Sequence, residues 1–156
     1  MGLIYLALYK GKGTLFNRLI RLWTRSIYSH CELVMPDGRC LSASAMDGGV
    51  RAKRILIDLD HWDLIPVPWA DAHHIEQLFR ANQGRGYDWL GLLGSQFLPI
   101  TIASTRRMFC SEFCAAGLGF PMPQRYSPAL LGEVVHAFFL INQANTILGQ
   151  RNEAHA

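Results

Sequence analysis

The sequence predicts an α+β domain, an antiparallel sheet with helices packed against it. Two observations point there. The first half of the chain holds short apolar runs broken by glycine, proline and Asp-Gly, the pattern of strands and tight turns. The second half holds longer segments with helical stripes, beginning at ADAHHIEQLFRAN and closing with PALLGEVVHAFFLINQANTIL. Strand runs followed by helix runs segregate into a sheet with helices laid against it.

LIYLALY is read as the first strand, because strand-forming residues run up to the Gly-Lys-Gly break. TLFNRLIRLWTR follows as a helix. SHCELVM and CLSAS are two strands joined by PDGR, where Asp-Gly supplies a positive-φ turn. A third strand is expected after the GGVR turn, in KRILIDL, and an extended WDLIPVP after it, since proline disfavours helix in the residue before it. Residues 70–82 form a helix with Ile75, Leu78 and Phe79 as its apolar stripe, ended by Gln-Gly-Arg-Gly. YDWLGLLGSQFLPI is apolar and helix-compatible up to Pro99, with Tyr87 and Asp88 at its start and Asp88 as the cap. A helix opens near Cys110 and runs to the glycines at 117 and 119, and the last helix follows FPMPQRYSP. Residues 150–156 read as a frayed tail of one domain spanning 1–156.

At 156 residues the chain is long enough to bury a sizeable core without staples. It is 50% hydrophobic and 17% charged, which excludes a disordered chain. Its apolar runs are too short to cross a bilayer, and the N-terminal one lacks the features of an export signal. The expectation is a cytoplasmic protein whose four cysteines, Cys31, Cys40, Cys110 and Cys114, are reduced thiols. The net charge of +3 is uneven, with no carboxylate among the first 31 residues. Arg18, Arg21 and Arg25 share one face of the TLFNRLIRLWTR helix. Such a helix either packs its apolar face on the core, the commoner case, or rests on anionic lipid. No nucleic-acid module accompanies it, and the oligomeric state is open.

Thiols and imidazoles together invite zinc, but the one close thiol pair is spaced Cys-x3-Cys and the histidines are scattered, so no metal or other cofactor is expected. A thiol nucleophile fits better. In RRMFCSEFCAAGLGF, Cys110 opens a helix, where unpaired N–H groups and the helix dipole favour a thiolate and where the same groups can hold an oxyanion. Cys114, one turn inside, is the packing partner. A base need not be near in sequence. His30 begins the strand HCELV and is the best-placed candidate, although a histidine there is more often structural. Glu32, two residues on, shares its face and either orients the imidazole or is a surface acid, while Cys31 faces the other way.

These residues resemble the circularly permuted papain-like hydrolases, related to the NlpC-type cell-wall peptidases and the lecithin retinol acyltransferases, in the YiiX-like branch with its bacterial and phage members. The resemblance rests on SHCELVMPDGRCLSAS, then GYDWLGLLG, then FCSEFCAAG, then YSPALL, roughly residues 28–131. It implies a permuted papain-like fold with the histidine preceding the cysteine, Cys110 as nucleophile and His30 as general base and acid. The family usually adds a polar residue that fixes the imidazole, often on the strand after the histidine strand. That strand reads CLSAS here, with Ser44 near the matching place; Glu32 and Asp47 are the substitutes. The resemblance implies cleavage of a peptide, isopeptide or cell-wall amide through an acyl-cysteine, with a lipid acyltransferase or deacylase, or a non-catalytic binding protein on the same scaffold, as the other readings.

Overall fold

The computed structural model describes residues 2–13, 18, 20–22, 25–87 and 107–153. Five strands form one antiparallel sheet: β1 Tyr5–Tyr9, β2 His30–Val34, β3 Cys40–Ser44, β4 Gly49–Lys53 and β5 Trp62–Pro66, in the order β4-β3-β2-β1-β5. Among the described residues, three α-helices have defined bounds, α1 Ala72–Asn82, α2 Cys110–Gly117 and α3 Pro128–Glu153, and Pro123–Arg125 forms a 3-10 turn. A two-residue parallel pair, β6 Gly86–Tyr87 with β7 Arg107–Met108, leads into α2. This is the α+β arrangement the sequence predicts.

Alternation along the strands decides which face takes the helices. Leu6, Leu8, Cys31, Leu33, Leu41, Ala43 and Val50 are buried on one face and form the core with Ile75, Phe79, Phe113, Cys114, Leu131 and Val135. Each large apolar side chain removed from water there contributes about 1.5–3 kcal/mol. Two glycines let the helices come close. A Cβ on Gly117 would stand 2.8 Å from Leu33 Cδ1, and one on Gly132 would stand 2.6 Å from Leu8 Cδ1. So α2 lies against β2 and α3 against β1. Beyond Val135, α3 leaves the core: Phe138 still meets Trp69 and Phe120 with ring centroids 5.8 Å and 5.7 Å apart, and Leu140, Ile141 and Ile147 are exposed.

The third strand of the meander that begins at β2 differs from expectation. It lies at Gly49–Lys53, not in KRILIDL, and Leu56 is 91% exposed. The reason is where its partner ends: β3 begins at Cys40, which pairs with Lys53, so residues from Arg54 on have no ladder to join. The start is set by Gly48 and Gly49, both at positive φ, which turn the chain so tightly that Gly49 already pairs with Ser44. Gly49 also has no room for a side chain, since a Cβ there would sit 1.8 Å from the Arg85 carbonyl oxygen.

Gly86 and Tyr87 form β6; the expected cap Asp88 and the rest of that stretch to Pro99 lie outside the described residues. Much of the basic N-terminal helix lies outside them too, but Arg18 and residues 20–22 are helical, whereas Arg25 stands at positive φ in a turn and does not share a helical face with Arg18 and Arg21 as expected. Arg21 donates to the carbonyls of Lys10 (3.2 Å) and Lys12 (2.9 Å), tying that turn to the end of β1. The last helix continues past the expected tail boundary to Glu153.

Candidate active site

The site begins with an interrupted ladder. On one side β2 pairs with β1 through five residues, from Tyr9↔His30 to Tyr5↔Val34. On the other side two pairs join β2 to β3, Leu33↔Leu41 and Val34↔Cys40, and toward His30 the ladder is not continued. Backbone groups released from a ladder inside a protein must find other partners. The Cys31 carbonyl accepts a hydrogen bond from the buried Ser42 Oγ at 2.7 Å. The Cys31 N–H donates to the Cys110 sulfur. The gap is thus the place where a thiol from the helix layer reaches β2.

Cys110 is the first residue of α2, preceded by Phe109 in extended conformation at φ −110° and ψ 167°. The Phe109 N–H donates to Glu112 Oε2 at 3.4 Å, and Ser111 Oγ donates to the Tyr126 carbonyl at 2.6 Å, so both sides of the helix start are fixed. Its first backbone N–H groups have no partner within the helix and favour negative charge beside them. Cys31 and Cys114 flank the sulfur from β2 and from within the helix, and all three are buried. Cys110 itself is 1% exposed.

His30 stands at the start of β2, its side chain 19% exposed. Its Nε2 lies 2.9 Å from Glu32 Oε1, which leaves Nδ1 as the nitrogen for Cys110. The Trp62 ring stands edge-on at 6.4 Å between centroids and itself meets Tyr9 at 5.0 Å, giving the imidazole one apolar wall. Glu32, fully buried, is gripped by Arg51 from β4: Nη1 donates to Oε2 at 2.6 Å and Nη2 to Oε1 at 2.5 Å. Arg51 Nε in turn donates to Asp47 Oδ2 at 2.8 Å.

These contacts set the protonation states. The Cys110 thiol is held well below its ordinary value, first by a hydrogen bond from the Cys31 thiol, then, against the opposing effect of burial, by the His30 charge and its hydrogen bond. Cys31 is pushed well up by burial and by its two sulfur neighbours, so it stays a thiol and donates. For His30, burial disfavours the cation, but Cys110 and then Glu32 outweigh it and raise the imidazole to about 10. Glu32 is lowered although burial opposes this, because the Arg51 and His30 hydrogen bonds favour its charged form. Both shifts favour the thiolate–imidazolium form of the pair.

Of the residues singled out from sequence, Cys110, His30 and Glu32 come together. Ser44 does not join them: its Oγ accepts from the Asp47 N–H at 3.3 Å, at the turn into β4. Asp47 reaches the cluster only through Arg51. Arg51 and Ser42 were not anticipated. Arg51 pairs with Ser42 across β3–β4, on the face that carries Glu32, a relation hidden once the third strand is placed too late in the chain. Of the other described histidines, His61 lies with Asp58, His73 with Gln77 and His74 with the Ala116 carbonyl, and His136 is exposed on α3. Among the described residues no group of three His, Cys, Asp or Glu side chains is arranged to hold a metal ion, and no helix is long and apolar enough to cross a membrane. Compared with known proteins, the chain matches no family model, no curated protein and no solved structure.

Proposed function

We propose that this protein is a thiol hydrolase with a permuted papain-like architecture, cleaving a peptide, isopeptide or cell-wall amide through Cys110. The observation that carries the reading is the convergence of a helix-opening thiol, a strand-opening imidazole and a buried carboxylate. The Cys110 thiolate adds to the carbonyl carbon, and the oxyanion rests on N–H groups at the start of α2. His30 passes its Nδ1 proton to the leaving nitrogen as the C–N bond breaks, leaving an acyl-thioester. Water then attacks, giving its proton to His30, and the thiolate leaves as the acid is released. Glu32 holds the ring and favours its cation. His30 preceding Cys110 in the chain is the order expected of a permuted member.

Two further readings each have an observation behind them. An acyl substrate from lipid is favoured by Leu22 and Ile27, exposed beside the exposed Arg18 and Arg25. A non-catalytic scaffold is favoured by the seclusion of the Cys110 sulfur. The test is the pH dependence of alkylation by iodoacetamide, resolved for each cysteine by peptide mapping, in the native protein and in His30→Ala. Fast reaction of Cys110 alone below pH 8, lost without His30, is the expected result. A Cys110 no faster than the equally buried Cys31, Cys40 and Cys114 refutes the hydrolase. Peptide, cell-wall and lipid-ester substrates then separate the two enzyme readings, with anionic vesicles raising activity only on the lipid one.

A further inference from the structure

Glu32 is a buried carboxylate at a junction of strands. The charged and titratable groups around it are His30 on its own strand, Cys40 on β3 and Arg51 on β4, with Asp47 and Lys53 one step beyond. Without paired donors, a carboxyl group so placed takes up a proton rather than keep its charge. Arg51 supplies two parallel N–H donors, one to each oxygen, a geometry that lysine cannot reproduce. The fork is itself held, by Asp47 at Nε and by the Cys40 carbonyl at 3.4 Å from Nη1. Charges therefore alternate in sign from Asp47 through Arg51, Glu32 and His30 to Cys110.

We infer that Arg51 is a positioning residue for the thiol chemistry: its fork keeps Glu32 a carboxylate aimed at His30, and Asp47 keeps the fork in place. The inference rests on the Cys110–His30 reading above. Among the described residues, the hydrogen bonds of Arg51 run to Glu32, Asp47 and the Cys40 carbonyl, so its effect on the sulfur passes through Glu32. When the fork is removed, Glu32 becomes protonated at a higher pH. Below that pH it no longer supports the imidazolium, and the thiolate is lost with it.

The experiment compares the pH profile of Cys110 alkylation by iodoacetamide in the native protein, R51M, R51K, E32Q, E32Q/R51M and H30A, each first checked for a cooperative melt. In R51M the acid limb is expected to move up by roughly 1–3 units, about tenfold or more in rate at a fixed pH on the limb. R51K should fall between R51M and the native protein. Adding R51M to E32Q should leave the E32Q profile unchanged, because Arg51 then has no carboxylate to act on. A folded R51M with the native profile overturns the inference, as does a further shift in E32Q/R51M. Should R51M fail to fold, R51K takes its place, alone and combined with E32Q, and a native profile in folded R51K overturns the inference. If H30A leaves Cys110 reactivity untouched, the hydrolase reading falls and takes this one with it, an outcome distinct from an R51 variant that fails where H30A succeeds.

Discussion

The two ends of β2 are built on opposite rules. At Val34 the strand is paired on both edges, with Tyr5 and with Cys40, and Leu33 beside it is packed under Gly117 of α2. At His30 one edge is paired and the other is not, and the unpaired edge meets the Ser42 hydroxyl and the Cys110 sulfur. The closed end contributes stability through burial and ladder bonds. The open end gives up ladder bonds and satisfies its backbone with side chains that carry chemistry. One five-residue strand therefore supplies both the anchor and the reactive edge, and the first holds the second in register.

If that division is right, the two ends should respond differently to substitution. Leu33→Ala at the closed end is expected to cost about 2–5 kcal/mol in chemical denaturation while leaving the pH profile of Cys110 alkylation in the folded protein where it was. A shifted profile would mean the ends are not separable. Ser42→Val at the open end leaves the Cys31 carbonyl without its donor and should cost about 1–3 kcal/mol. Unlike the first variant, it should also slow Cys110 at low pH, because Cys31 no longer presents its N–H to the sulfur. Gly117→Ala forces Leu33 Cδ1 to give way and should cost roughly 1–3 kcal/mol, with α2 and its first residue moved slightly off β2. The surface pair Arg39–Asp37 sets the floor, and Asp37→Asn should leave the chemical-denaturation midpoint and the Cys110 profile where they were.

Proton linkage sharpens the same contrast. The contribution of His30, raised to about 10, is complete below 6.5 and is lost as pH rises through the folded value. Cys110 is depressed, so its contribution is complete above about 9 and is lost as pH falls through its folded value. Where the two windows overlap, above about 6.5 and below about 9, the two changes oppose each other, because the thiolate–imidazolium pair differs from the unfolded pair only by moving one proton from sulfur to imidazole. The open end should therefore give a flat stretch of stability against pH with a decline on either side. In Cys110→Ala the part of the acid decline that comes from this pair should disappear; an unchanged slope there would deny the pair. Glu32 adds a decline below its ordinary carboxylate range in the native protein that E32Q should lack.

Much of this architecture is legible in the sequence, for identifiable reasons. Asp-Gly in PDGR places the β2–β3 turn, alternation puts His30 and Glu32 on one face with Cys31 on the other, and the break before Cys110 starts α2. The misplaced third strand shows the limit. The two positive-φ glycines that signal a turn also end it early, and the length of β4 is decided by where β3 runs out. That one displacement hid Arg51. Ser42 is hidden differently, because a serine in a strand does not announce that its neighbour's ladder bond is missing. Cys110 and His30 are so distant in the chain that no local spacing relates them; a strand-opening histidine names the candidate base, and the resemblance strengthens the pairing.

Seclusion of the Cys110 sulfur has a kinetic meaning. A group with 1% of its surface exposed meets a reagent only while its surroundings are open, so the observed rate combines an opening equilibrium with the chemical step. At low iodoacetamide the alkylation rate should rise in proportion to reagent. At high concentration it should level off at the opening rate itself, the same ceiling for small reagents of different intrinsic reactivity. On the hydrolase reading proposed above, turnover of a substrate bulkier than iodoacetamide would be timed by the protein's breathing rather than by the chemistry of the sulfur.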